Sequence, residues 1–129
     1  MDTLSLADKL AIIETYPCIT VMSVFNGEAH ILGYYEDNQN EYGPHPMRLV
    51  ELSGAYMPAK RLHQLAQLGI SLAEIESEYT QYPQDGEEDT DEKAMEMYRN
   101  DLVGHPAIYE SQLKDAPLPD GMYTIIERR

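Results

Sequence analysis

The feature that most narrows what this chain can fold into is Asn26-Gly27, set between two β-rich runs, CITVMSVF and EAHILGYY. Asn and Gly tolerate the positive φ angles of a two-residue type I′ turn. The twist of that turn matches the twist of the strands it joins. The spacing therefore predicts a β-hairpin over 18–35. With Asn26-Gly27 as the turn, Phe25 pairs with Glu28 and Met22 with Ile31. The same count pairs Val21 with Leu32, Ile19 with Tyr34 and Cys18 with Tyr35. Both faces of this hairpin carry apolar groups, so one face is expected to be fully covered and the other covered in part.

The remaining elements follow from periodicity and breakers. Residues 5–15 read as an amphipathic helix capped by Ser5, with Asp8 in the capping-box position and Leu6, Leu10 and Ile13 on one face. Pro17 ends it by pushing Tyr16 out of the helical region. Residues 36–46 are a polar loop, and 47–52 read as a third strand. Pro58 opens a helix that runs to about Leu68, with Leu62, Leu65 and Ala66 inward and Gly69 as its stop. Ser71 and Glu74 form a capping box, with Ile70 and Ile75 as a hydrophobic staple, for a helix over 72–81. Its inward residues are Leu72, Ile75 and Tyr79. A further helix over 91–103 carries Ala94, Met95, Tyr98 and Leu102 on one stripe. Pro106 reads as the start of a short helical turn through Ile108, Tyr109 and Leu113. MYTIIE closes the chain as a strand joining the hairpin sheet. At 129 residues, one domain over 1–129 is expected. The fold class is α+β: a small antiparallel sheet of hairpin and C-terminal strand against several short helices.

Charge is distributed unevenly. The formal net charge is −14, and eleven acids against two bases within the 28 residues 74–101 leave that segment at −9. A field of this sign draws basic partners and repels nucleic acid and anionic lipid. The single cysteine, Cys18, rules out a disulfide or a thiolate metal site within one chain and suits a reducing compartment. The N-terminus has acids at Asp2, Asp8 and Glu14 and no basic start, unlike a signal peptide. No apolar run approaches membrane-spanning length. The expected location is cytoplasmic.

The segment RLHQLAQLGISLAEIESEY resembles part of the DNA-binding region of MerR-family regulators through Leu65, Leu68, Gly69, Ile70, Ser71, Leu72, Glu74 and Ile75. The resemblance implies two helices at an angle. The basic helix-turn-helix and wing that precede this run in that family are missing here, and phosphate contacts need Lys and Arg.

DGEEDTDEKAME places Asp85, Glu87, Asp89, Asp91 and Glu96 in a calcium-loop register. Thr90 stands where the sharp turn needs Gly, and Glu92 where an apolar residue is usual, so no metal site is expected. His30, His45, His63 and His105 lack metal-ligand spacing. No phosphate-binding glycine motif or nucleophile elbow occurs, so no cofactor and no catalysis are expected.

What remains is an acidic face with tyrosines. Its candidate partner-binding residues are Glu74, Glu78, Tyr79, Tyr82, Glu87, Glu88, Asp89, Glu92, Glu96 and Asp101, with Tyr98 as a further anchor. Carboxylates four apart on a helix lie about 6 Å apart at Cβ, close to phosphate spacing along one DNA strand. The expected function is non-enzymatic: an inhibitor or DNA-mimic-like antagonist of a basic, nucleic-acid-binding protein, as encoded by phages and mobile elements. Two alternatives stay open: an immunity protein or secretion chaperone for a toxin or effector, and a small enzyme or metal-dependent protein.

Overall fold

The computed structural model describes residues 2–37, 47–79 and 92–127. The hairpin turn forms as its residues dictate, with φ of 51° at Asn26 and 75° at Gly27. It joins β1 (Ile19–Phe25) to β2 (Glu28–Asp37). Near the turn the pairing is the expected one, with Phe25 opposite Glu28 and Met22 opposite Ile31. Beyond Met22 the register shifts, so that Val21 faces Gly33, Thr20 faces Tyr34 and Ile19 faces Tyr35. The expected pairs Val21–Leu32, Ile19–Tyr34 and Cys18–Tyr35 are thereby corrected. Leu32 is the extra residue of a β-bulge. The cause lies at Gly33, where a Cβ would sit 2.7 Å from the carbonyl oxygen of Val50 on the next strand. Glycine inside a strand marks such a close backbone approach.

The bulge redistributes side chains between the two faces. Ahead of it, Ala29 and Ile31 join Met22 and Val24 in one core cluster. After it, Tyr35 joins Ile19 and Val21 in a second cluster. The sheet therefore carries a core on each face.

Its strand order is β3-β2-β1-β6-β5, with β3 at Met47–Glu51, β5 at Ala107–Tyr109 and β6 at Gly121–Ile126. β4 (Tyr56–Pro58) also pairs with β2, nearer the hairpin turn. All pairings are antiparallel except β5 with β6. The segment 107–109, expected to be helical, is this parallel edge strand, and Glu110–Lys114 behind it is a short 3-10 helix. A three-residue strand is too short for its pattern to declare itself. The β6 backbone, together with the Leu4 N–H donated to Ala107 O, decides its state.

α2 (Ala59–Gln67) and α3 (Leu72–Tyr79) cover the first face through Leu62, Leu72 and Ile75. Gly69, at φ 82°, closes α2, and the Ile70 N–H reaches back to Leu65 O. The second face is covered by α1 (Leu6–Ile13) and α4 (Glu92–Gly104). On α4 the expected stripe of Ala94, Met95, Tyr98 and Leu102 is wholly buried. Each of the larger three contributes about 1.5–3 kcal/mol by leaving water.

On α1 the inward face differs from expectation. Ile13 and Lys9 are buried, whereas Leu6 and Leu10 are 57% and 53% exposed. The Lys9 ammonium donates to Val103 O at 3.2 Å and His105 O at 2.7 Å, at the C-terminal end of α4. No basic residue lies in the last turn of α4 itself. A cation at that end satisfies its carbonyls and opposes its dipole, which rotates α1 toward Lys9. The fold is α+β, a mostly antiparallel sheet with helices on both faces. Among the described residues, no helix is long and apolar enough to cross a membrane.

Candidate functional site

The acidic residues of α3 are set by its caps. The Ser71 hydroxyl accepts the Glu74 N–H at 3.2 Å, as the sequence predicts. A second cap comes from outside the helix, where Glu110 Oε1 accepts the Leu72 N–H at 2.6 Å. With Leu72 and Ile75 buried, Glu74 and Glu78 point to solvent. Tyr79 is half-buried against the first core, and its hydroxyl donates to Tyr56 O at 3.3 Å.

On α4, Glu96 is exposed, with Lys93 and Arg99 also outward. Asp101 is half-buried instead. Its carboxylate accepts from the Tyr35 hydroxyl at 2.6 Å and lies 4.0 Å from His105 Nδ1, while its main-chain oxygen accepts from Thr124 Oγ1 at 2.5 Å. Asp101 thus ties α4 to β2 and β6. Tyr98 is fully buried, donates its hydroxyl to Pro17 O at 2.6 Å and meets Tyr35 edge-on at 5.3 Å. Its expected role as a surface anchor is corrected: a stripe position on α4 makes it core. Burial, then the nearby Cys18, Tyr16 and Asp37, push its phenol well above the usual tyrosine range.

The tertiary structure separates Glu74 and Glu78 from Glu96. α3 packs on one face of the sheet and α4 on the other, because Leu72 and Ile75 belong to the first core and Met95, Tyr98 and Leu102 to the second. Tyr82, Glu87, Glu88, Asp89 and the side chain of Glu92 lie outside the described residues, as does most of the calcium-loop register. Among the described residues, no group of three or more His, Cys, Asp or Glu side chains could hold a metal ion.

Two arrangements were not drawn from the sequence. Glu76 is buried on α3, and its carboxylate and that of Glu127 both hydrogen-bond the hydroxyl of Thr20, also buried. The signal was present: Glu76 lies four residues after Leu72, on the inward stripe. The second is a set of exposed apolar side chains at the hairpin end of the sheet. Phe25, Tyr56 and Met122 are 74%, 53% and 37% exposed. Tyr56 stacks on His30 with ring centroids 4.1 Å apart and planes 19° from parallel. Only the pairing of β4 with β2 brings those two rings together.

A shallow groove of about 270 Å³ lies between the α2–α3 turn and the 3-10 helix. Leu62, Ala66, Ile70 and Leu113 line it, and Glu110 in its wall is committed to the cap of α3. Comparison with known proteins finds no matching family model, no similar curated protein and no similar solved structure.

Proposed function

We propose that this protein works by binding, not catalysis, and that its partner is a basic protein surface, of the kind that otherwise engages nucleic acid. The observation that supports this reading most is the concentration of charge: −9 within residues 74–101, with Glu74, Glu78 and Glu96 directed to solvent. Solubility alone needs charge of both signs interspersed, not one sign gathered in about a fifth of the chain. Glu74 and Glu78 are four apart on α3, so their spacing of about 6 Å at Cβ suits cationic groups arranged for phosphates. Because α3 and α4 occupy opposite faces, attraction is spread around the sheet and acts chiefly on encounter. Occupying the basic surface would make this protein an antagonist of whatever that surface normally holds.

The test starts with affinity capture from cell extract and identification of the retained protein. Association rates are then measured against salt. The on-rate should fall steeply as salt rises. Reversing Glu74, Glu78, Glu87 and Glu88 to Lys should slow association, whereas reversing Asp2 and Asp8 should change it little. A salt-independent on-rate, or equal effects of the two sets, removes the 74–101 segment as the source of the attraction.

A further inference from the structure

Among the described residues, the helices cover the second face of the sheet at one end only. Along β1 the residues of that face pass from buried Ile19 and Val21 to half-buried Ser23 and exposed Phe25. α1 and α4 pack over the buried end. The pairing registers set Tyr56, His30, Ser23 and Met122 side by side across four strands, with Pro58, Glu28 and Phe25 as the next row. Four adjacent strands place the outer members of the first row roughly 14 Å apart. Three of the large apolar residues that the fold leaves exposed, Phe25, Tyr56 and Met122, stand in this patch. Aromatic and methionine side chains gathered on open sheet are the composition of an interface centre.

We infer that this open end of the sheet is the contact surface for the basic partner, and that it receives an arginine beside an apolar side chain. The inference rests on the proposed function and names the surface that carries it. Three features select that occupant. The His30–Tyr56 stack leaves Tyr56 53% exposed at its end, an aromatic surface that a guanidinium plane covers better than an ammonium does. Phe25 and Met122 supply apolar area alongside. Two carboxylates stand at the rim: Glu28 in the second row and Asp120 beside the turn. No Lys or Arg occurs in either row. A second copy of a chain with net charge −14 would bring like charge to an acidic rim. The acidic helices then steer the partner, and the sheet end holds it.

Phe25 is the single phenylalanine of the chain, so biosynthetic 4-fluorophenylalanine gives one fluorine reporter at the patch. The probes are three short synthetic peptides: alternating Arg and Leu, alternating Lys and Gly at equal charge, and alternating Ser and Leu. The Arg–Leu peptide should shift the fluorine resonance saturably and bind about tenfold more tightly than Lys–Gly. Phe25→Ser and Tyr56→Ser should each weaken it by about tenfold in calorimetry, the scale of an interface hot spot. The melting temperature of Phe25→Ser should be unchanged, since that side chain is 74% exposed, and that of Tyr56→Ser should fall only slightly, by the loss of the His30 stack. If Arg–Leu binds both variants as tightly as the parent and loses affinity only on reversal of Glu74, Glu78 and Glu96, the surface is wrong while the basic-partner reading stands. If Ser–Leu binds as tightly as Arg–Leu, or no peptide moves the fluorine, the inference fails. A Phe25-dependent dimer in sedimentation also overturns it, by making the patch a contact between copies.

Discussion

The carboxylate of Asp120 accepts the main-chain N–H of Gly27 at 3.1 Å, across 93 positions of sequence. Its other oxygen accepts the Asn26 N–H at 3.0 Å, so one side chain closes both amides of the hairpin turn. The contact joins the start of β6 to the turn between β1 and β2 and sets the end of the sheet where the exposed patch lies. Asp120→Ala should destabilise the fold by about 1 kcal/mol, the scale of a solvent-exposed charge-assisted hydrogen bond. Gly27→Val should cost more, because φ at that position is 75° and a β-branched residue resists it. Denaturant midpoints of the two variants check both values and their order.

Gly33→Ala tests the bulge. Its Cβ would lie 2.7 Å from Val50 O, a main-chain atom that moves only with β3. A loss of about 1–3 kcal/mol is expected, as for other insertions into packed structure. Ala at Gly54 is a useful contrast. There φ is 75° and nothing lies within 4 Å of the added carbon, so any cost comes from the backbone alone. Equal stability of the Gly33 variant and the parent would show that the β2–β3 approach is looser than described.

Tyr98 links the fold to alkaline pH. Burial raises its phenol above the ordinary value of 10.0. Burial and the neighbouring Asp120 move Tyr123 in the same direction. A group whose folded-state value is raised contributes stability that is complete below the unfolded value and lost as pH climbs toward the folded one. Stability should therefore decline above about pH 10, and tyrosinate absorbance should show Tyr98 and Tyr123 ionising later than an exposed tyrosine. Tyr98→Phe removes the hydrogen bond to Pro17 O, at a cost of about 0.5–1.5 kcal/mol near neutrality. The alkaline slope should be shallower in that variant. An unchanged slope would place the pH dependence elsewhere.

Thr20→Val should be more damaging than its near-identical shape suggests. The Thr20 hydroxyl binds both Glu76 on α3 and Glu127 after β6, and all three residues are buried. Removing it leaves two buried carboxyl groups without that shared partner. Hydrogen bonds to such groups are worth about 1.5–3 kcal/mol each, so a loss of that order is expected in chemical denaturation. Thr20→Ser keeps the hydroxyl and should recover most of the loss. Failure of Ser to do better than Val would assign the effect to packing.

The elements that sequence alone determined are those whose signals are local. The turn at Asn26-Gly27 needs only two residues that accept positive φ. The caps at Ser5 and Ser71, the stop at Gly69 and the buried stripe Ala94, Met95, Tyr98, Leu102 are likewise written within one turn or one helix face. Acidity and its clustering are properties of composition and order, and the outward direction of Glu74 and Glu78 follows from helical period once Leu72 and Ile75 face inward.

What only the tertiary structure decided involves partners distant in the chain. The bulge at Leu32 exists because Gly33 meets β3. Lys9 turns inward because the end of α4 lacks a cation of its own. Residues 107–109 are a strand because β6 offers them a ladder. Asp101 leaves the surface because β2 presents Tyr35 as its hydrogen-bonding partner. Most consequentially, the two helices that carry the described acids lie on opposite faces of the sheet, and the exposed aromatic patch is assembled from β1, β2, β4 and β6. The period of a strand or helix tells which side chains share a face. Which face is then covered depends on long-range pairing, and no local pattern carries that information.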